Sequence, residues 1–180
     1  MIKFDKYQVQ ERQLLEETGI HKNLNLRKIE IFKQFSKKDL RSIFFISDII
    51  NLKKGEYVFK TGDTDTSIYI VLHGTLDIIK EKDNSDQNIV VTKVVQGDHF
   101  NETSIFFEAA HKVSARATSD VDLLKVNKEE FLTLLNDNQE LASKLLWIIS
   151  HKLSERLLHT TDKFSATKDL VSDVSDSMEE

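Results

Sequence analysis

From Leu52 to Val126 apolar residues come in short runs separated by polar turns. The runs are Tyr57-Val58-Phe59, Ser67 to Leu72, Thr75 to Ile79, Ile89 to Val95, Ser114 to Thr118 and Val121 to Val126. Alternation with a period of two places one set of side chains on one face of a strand. Several such strands at roughly ten-residue spacing predict a barrel or jelly roll. Lys80 to Asn88 is charged and suits an exposed hairpin end. Proline is absent, and four of the five glycines, Gly55, Gly62, Gly74 and Gly97, sit beside these runs, where sharp turns are needed.

Helical spacing brackets the β-rich stretch. Ser36, with Asp39 three residues later, has the form of a capping box with the shorter acid. Leu40, Ile43, Phe44, Ile46, Ile49 and Ile50 then recur at helical intervals. A weaker helix is predicted over residues 8–18, stopped by Gly19. After Asn127, Phe131, Leu134 and Leu135 make a short amphipathic segment. Leu141, Leu145, Leu146, Ile148, Ile149, Leu153 and Leu157 line one broad face of a longer helix. Beyond His159 the chain is rich in Ser and Asp and poor in apolar residues, which predicts a mostly unstructured end. The expected partition is a partly helical extension over 1–30, a domain over 31–160 and an acidic flexible tail over 161–180.

Composition narrows the chemistry. The 180 residues are 39% hydrophobic, enough for a core. There is no cysteine, which excludes a disulfide framework, a thiolate metal site and a cysteine nucleophile. Net charge is −5, and six acids against two lysines in residues 161–180 account for −4 of it. Such a balance argues against direct nucleic-acid binding, which calls for a basic face. Neither the apolar run of a signal peptide nor one of about 18 residues that would span a membrane is seen, so the expectation is a cytoplasmic protein with no membrane partner. No nucleophile–base pair, metal-ligand spacing or Walker-type loop is visible, so an enzyme is not expected and no metal site is assigned. His73 and His99 flank turns without ligand spacing.

One stretch does carry chemistry. Gly97-Asp98-His99-Phe100-Asn101-Glu102-Thr103-Ser104-Ile105 is followed by Phe106 to Ala110 and then by His111-Lys112-Val113-Ser114. The order predicts a strand end, a tight turn, a single helical turn and a new strand. Backbone amides at the start of such a turn favour an anion, Glu102 is placed to accept from a sugar hydroxyl, and a basic group entering the next strand closes on a phosphate.

Together with Ile31-Phe32-Lys33-Gln34-Phe35-Ser36, Lys54-Gly55-Glu56-Tyr57-Val58, Thr61-Gly62-Asp63, Ser67-Ile68-Tyr69-Ile70-Val71 and Gly74, this stretch resembles the cyclic-nucleotide-binding domain of catabolite activator proteins, cyclic-nucleotide-dependent kinases and gated channels. The resemblance runs from about Ile31 to Leu158. It implies an eight-stranded jelly roll with helices before it and a long helix after it, acting as a regulatory sensor of a ligand such as cAMP or cGMP and needing no other cofactor. The family's phosphate cassette begins Phe-Gly-Glu and ends with Arg nine residues after the Glu. Phe100 and Glu102 match, Thr103 and Ser104 follow, and Ser114 lies where Thr or Ser is common. Asn101 takes the Gly place, Ala110 a frequent Pro and His111 the Arg.

These departures fall on ligand-contacting positions. Asn tolerates a left-handed backbone better than other non-glycine residues. Arginine is always charged and grips phosphate with two prongs, whereas an imidazole with its ordinary pKa of about 6.5 is mostly neutral at pH 7. Loss of that fork weakens phosphate binding by about ten- to a hundredfold. Lys112 is the nearest substitute cation, but strand alternation points it opposite to His111. The resemblance also implies a lid from the long helix, where Trp147 would cover a base. The alternative is a ligand-free relative acting as an interaction module for an unknown protein, or as a homodimer through the Leu141–Leu157 stripe. In the activator branch a winged helix-turn-helix follows this helix; residues 160–180 are acidic and lack clustered Lys and Arg, so direct nucleic-acid binding by them is not expected.

Overall fold

The computed structural model describes residues 29–81 and 88–177, with side chains of 166 and 169–177 left out of the description. The helix expected over residues 8–18 lies outside the described residues. A 3-10 turn, Glu30–Gln34, leads to α1, Lys37–Phe45. At its start the Ser36 hydroxyl accepts from the Asp39 amide at 3.1 Å, and the Asp39 carboxylate accepts from the Ser36 amide at 3.0 Å. The capping box read from the sequence is therefore formed.

Helical geometry ends at Phe45, not at Ile50. Ile46 is the C-cap, the Ser47 hydroxyl donates to the Ile43 carbonyl, and Ser47–Leu52 is a strand, β1. The expectation of one continuous apolar helix face is corrected here. Ile49 and Ile50 are β-branched, and they lie opposite Leu124 and Leu123 in an antiparallel ladder. Tertiary pairing settles a run whose spacing suits either period.

The remaining strands are β2 (Tyr57–Phe59), β3 (Ile68–His73), β4 (Thr75–Lys80), β5 (Ile89–Val95), β6 (His99–Phe100), β7 (Ser114–Ala117) and β8 (Val121–Val126). They form two four-stranded sheets, ordered β1-β8-β3-β6 and β2-β7-β4-β5, with antiparallel pairing throughout. This is the jelly roll expected from the sequence. Phe59, Tyr69, Val71, Leu76, Val94, Phe100, Ala115, Ala117, Val121 and Leu123 pack as its core. Gly74, between β3 and β4, has φ +86°, and a Cβ there would lie 2.2 Å from the Asp120 carbonyl oxygen, so only glycine fits.

Three helices follow β6 in the chain: α2 (Thr103–Phe106), α3 (Lys128–Asp137) and α4 (Gln139–Ser177). The chain divides into two compact units, the first ending at Ala142 and the second beginning at Ser143. In the second unit the helix continues 18 residues beyond His159, to Ser177, so the expectation of an unstructured tail from that point is corrected. No glycine follows Gly97 and the chain has no proline, so nothing interrupts the ladder. Leu153, Leu157 and Phe164 also continue the three-and-four spacing past the expected boundary.

Candidate functional site

The short strand β6 sets the cassette. Tyr69 lies opposite Phe100 and Ile70 opposite His99, which places Asn101 just beyond the end of the ladder. The chain turns sharply there: Asn101 has φ +66°, the one non-glycine residue with positive φ among those described. Its side chain offsets part of the conformational cost. The amide nitrogen Nδ2 donates to the Ser67 carbonyl at 2.8 Å and, more weakly, to that of Asp65 at 3.5 Å, while Oδ1 accepts from the Ser104 hydroxyl at 2.8 Å. The residue at the family's glycine position thus holds a left-handed turn and ties it to the loop before β3.

Glu102 follows, buried, with a backbone in the helical region and no side-chain bond to the amides of α2. Its role is therefore not that of a capping acid. One carboxylate oxygen lies 3.8 Å from His99 Nδ1, and both side chains are within 3% of full burial. The helix that was expected to gather amides for an anion is only four residues long. Its amides are largely consumed: Ser104 donates to Asn101, Ile105 to Glu102 and Phe107 to Thr103. Little of the amide cluster expected at a helix terminus is therefore left uncommitted.

His111 and Ser114 are both bonded to the loop between β2 and β3. The Thr61 amide donates to the Ser114 hydroxyl at 3.0 Å, and that hydroxyl donates to Glu81 Oε1 at 3.2 Å. The Gly62 amide donates to the His111 carbonyl and the His111 amide to the Asp63 carbonyl, at 2.9 and 2.8 Å. The His111 ring stacks on Phe59, centroids 4.1 Å apart, and Phe59 in turn lies 6.2 Å from Phe100. His111 is 9% exposed, and its Nε2 has no hydrogen-bond partner among the described residues. Phe100 and Tyr69 stack on each other at 5.1 Å, both in the core.

A profile of the family described as "Cyclic nucleotide-binding domain" matches residues 49–138, from within β1 to the end of α3. The chain belongs to that family. It is 33% identical over 113 residues to the CRP-like protein Clp of Xanthomonas oryzae pv. oryzae, a match covering 60% of this chain and 47% of Clp. It is 27% identical over 139 residues to the lysophospholipase NTE1 of Phaeosphaeria nodorum, covering 76% of this chain and 9% of that enzyme. Among solved structures, the c-di-GMP responsive global regulator CLP of Xanthomonas campestris superposes with a TM-score of 0.66 at 26% identity, over 72% of this chain and 63% of CLP. The chain thus spans about half of one curated relative and under a tenth of the other.

Within this cyclic nucleotide-binding domain the sequence-predicted residues separate into groups. Asn101, Glu102 and Ser104 are brought together at the turn, and His111 and Ser114 share the loop around Thr61–Asp63. Phe100 is a core ring that positions the turn. Thr103 and Lys112 are exposed, and Lys112 lies in a bend before β7, so the strand alternation expected at His111 and Lys112 is not formed there. Trp147 lies in the second unit and is 69% exposed. Among the described residues no group of three or more His, Cys, Asp or Glu is set to hold a metal ion, and no helix is long and apolar enough to cross a membrane.

Sequence reading passed over Asp65 and Glu81. Asp65 accepts from the Tyr69 hydroxyl at 2.7 Å and the Ser67 hydroxyl at 3.0 Å, with Lys125 at 3.6 Å. Burial, then the bond to Asp65, pushes the Tyr69 phenol far above its ordinary range. Two of its partners are local, Ser67 in the same loop and Tyr69 at the start of β3, whereas Lys125 comes from β8. Glu81 ends the β4 edge and reaches Ser114 across the sheet register that pairs Ile79 with Ser114.

Proposed function

We propose that this domain is a regulatory sensor that binds a cyclic nucleotide, or a related cyclic dinucleotide, at the cassette formed by residues 100–104 with His111 and Ser114. The observation that carries the reading is the left-handed turn at Asn101, which sets a buried carboxylate, Glu102, at the start of α2. A carboxylate at that position is suited to accept from a sugar hydroxyl. His111 and Ser114, the first residue of β7, supply further polar atoms. The dinucleotide enters because the Xanthomonas regulator is named as responsive to c-di-GMP.

In this reading the domain binds and regulates, and does not itself catalyse. It acts in the cytoplasm, and the lysophospholipase match reflects a sensor module carried within a larger protein. Calorimetric titration with cAMP, cGMP and c-di-GMP tests it. Saturable heat from one of them, lost in Glu102→Ala, is expected. No binding by any of the three up to millimolar concentration refutes it.

A second reading rests on α4. Leu146, Leu157, Leu158 and Phe164 are 39%, 68%, 66% and 71% exposed, and Leu146, Leu153, Leu157 and Phe164 recur at the spacing of a coiled-coil seam. Such a stripe suits pairing with a second copy, so the sensor is proposed to act as a homodimer. Sedimentation should give a dimer that Leu157→Lys dissociates. A monomer at high concentration removes this part.

A further inference from the structure

We infer that the cassette takes up its anionic ligand together with a proton carried by His111, so that affinity rises as pH falls. The inference rests on the reading above, that residues 100–104 and 111–114 receive a phosphate. The His111 backbone is bonded both ways to the Gly62–Asp63 segment, its ring is stacked on Phe59, and it is nine-tenths buried with Nε2 unpartnered among the described residues. A buried donor or acceptor left unpaired is costly, and a ligand oxygen at Nε2 would remove that cost.

Charge decides the form in which it does so. The carboxylates on the surrounding segments are Asp63, which accepts from the Lys60 amide; Glu81, bonded to Ser114; and Glu102, beside His99. The cations nearby are directed elsewhere. Lys60 and Arg116 lie over the Tyr57 ring at 4.9 and 5.6 Å, Arg116 also donates to the Gly55 carbonyl, Lys125 faces Asp65, and Lys112 is exposed. A phosphate entering beside these carboxylates needs a compensating positive charge, and the buried imidazole is the group placed to supply it. An adjacent anion favours the protonated ring. By reciprocity the proton favours the anion by the same factor. An arginine, charged at every physiological pH, could not couple the two. The substitution converts a constant contact into one that responds over the range in which imidazoles titrate, about pH 5 to 8.

The test is titration of the protein with cAMP, cGMP and c-di-GMP at about pH 6 and about pH 8. The dissociation constant should rise about tenfold or more between them, within the limit of tenfold per pH unit for one coupled proton. His111→Arg should bind with no such dependence, and His111→Gln weakly at both values. NMR of the wild-type imidazoles should find the His111 ring titrating at higher pH when ligand is bound, which decides the matter even where a variant fails to fold. Binding with equal affinity at both pH values overturns the inference and leaves the sensor reading intact, as does a dependence that persists in His111→Arg. Absence of binding at every pH overturns both.

Discussion

Replacement of Asn101 separates the backbone and side-chain contributions to the cassette turn. At φ +66° an ordinary L-residue is disfavoured by about 1–2 kcal/mol, and Asn by less. The side chain contributes two good hydrogen bonds, Nδ2 to Ser67 and Ser104 to Oδ1, both 2.8 Å, each worth about 1 kcal/mol net. Asn101→Gly loses both bonds and adds chain entropy to the unfolded state, while relieving a fraction of a kcal/mol of strain, a net loss of about 2 kcal/mol. Asn101→Ala loses the same bonds and gains the full left-handed penalty, a net loss of about 3 kcal/mol. Urea unfolding followed by circular dichroism should rank wild type above Gly and Gly above Ala, with an unchanged m-value. For a chain of this size the steps correspond to shifts in Tm of about 2–4 °C per kcal/mol. Equal stability of the Gly and Ala variants would refute the left-handed conformation. A Gly variant more stable than wild type would refute the contribution of the two hydrogen bonds.

Other consequences are tested as simply. Gly74→Ala forces a Cβ to 2.2 Å from the Asp120 carbonyl oxygen, so it should cost more than about 3 kcal/mol or abolish soluble expression. Tyr69→Phe removes a 2.7 Å bond to a carboxylate and should destabilise by about 1.5–3 kcal/mol in the same urea assay. Because the folded phenol is held above its unfolded value of 10.0, the stability it contributes is complete below pH 10.0 and is lost as pH rises further, a loss absent in Tyr69→Phe. Glu108 has the opposite sign: its bond to Lys128 lowers its pKa from 4.5, so Lys128→Gln should return the carboxylate to its ordinary range by NMR titration. The small stabilisation from that exposed pair is present above pH 4.5 and fades as pH falls through the folded pKa.

Much of this was legible in the chain itself, and the exceptions have physical causes. Six strands appeared as short apolar runs bounded by turn residues, with β3 and β8 buried on both faces, and the cap at Ser36 appeared because the two residues that form it are local. β1 was hidden by its own composition. Ile49 and Ile50 fit a helical face by spacing, and only the ladder with Val121–Val126 makes them part of a strand. The end of α4 was hidden for the converse reason. Ser and Asp lower helix propensity without forbidding the conformation, and only glycine or proline would have interrupted it firmly. The bond from Asn101 to the Ser67 carbonyl could not be read, since Ser67 is 34 residues away.

The two departures from the family cassette therefore differ in kind. At Asn101 the lost glycine is made good within the fold. Asn is the side chain that both tolerates the left-handed turn and bonds to the loop before β3, so the backbone geometry survives. At His111 nothing in the described structure restores the fixed charge of an arginine. Lys112 is exposed, Lys60 and Arg116 lie over Tyr57, and Glu81 adds a negative charge beside Ser114. The double variant His111→Arg with Glu81→Gln should then tighten binding of any phosphate ligand by more than the sum of the two single changes, because one supplies the fork and the other removes a negative charge beside Ser114. Calorimetry on the four proteins gives the coupling directly. Strict additivity would mean that Glu81 and His111 do not act on the same anion, and the cassette would have to be sought elsewhere on the sheet.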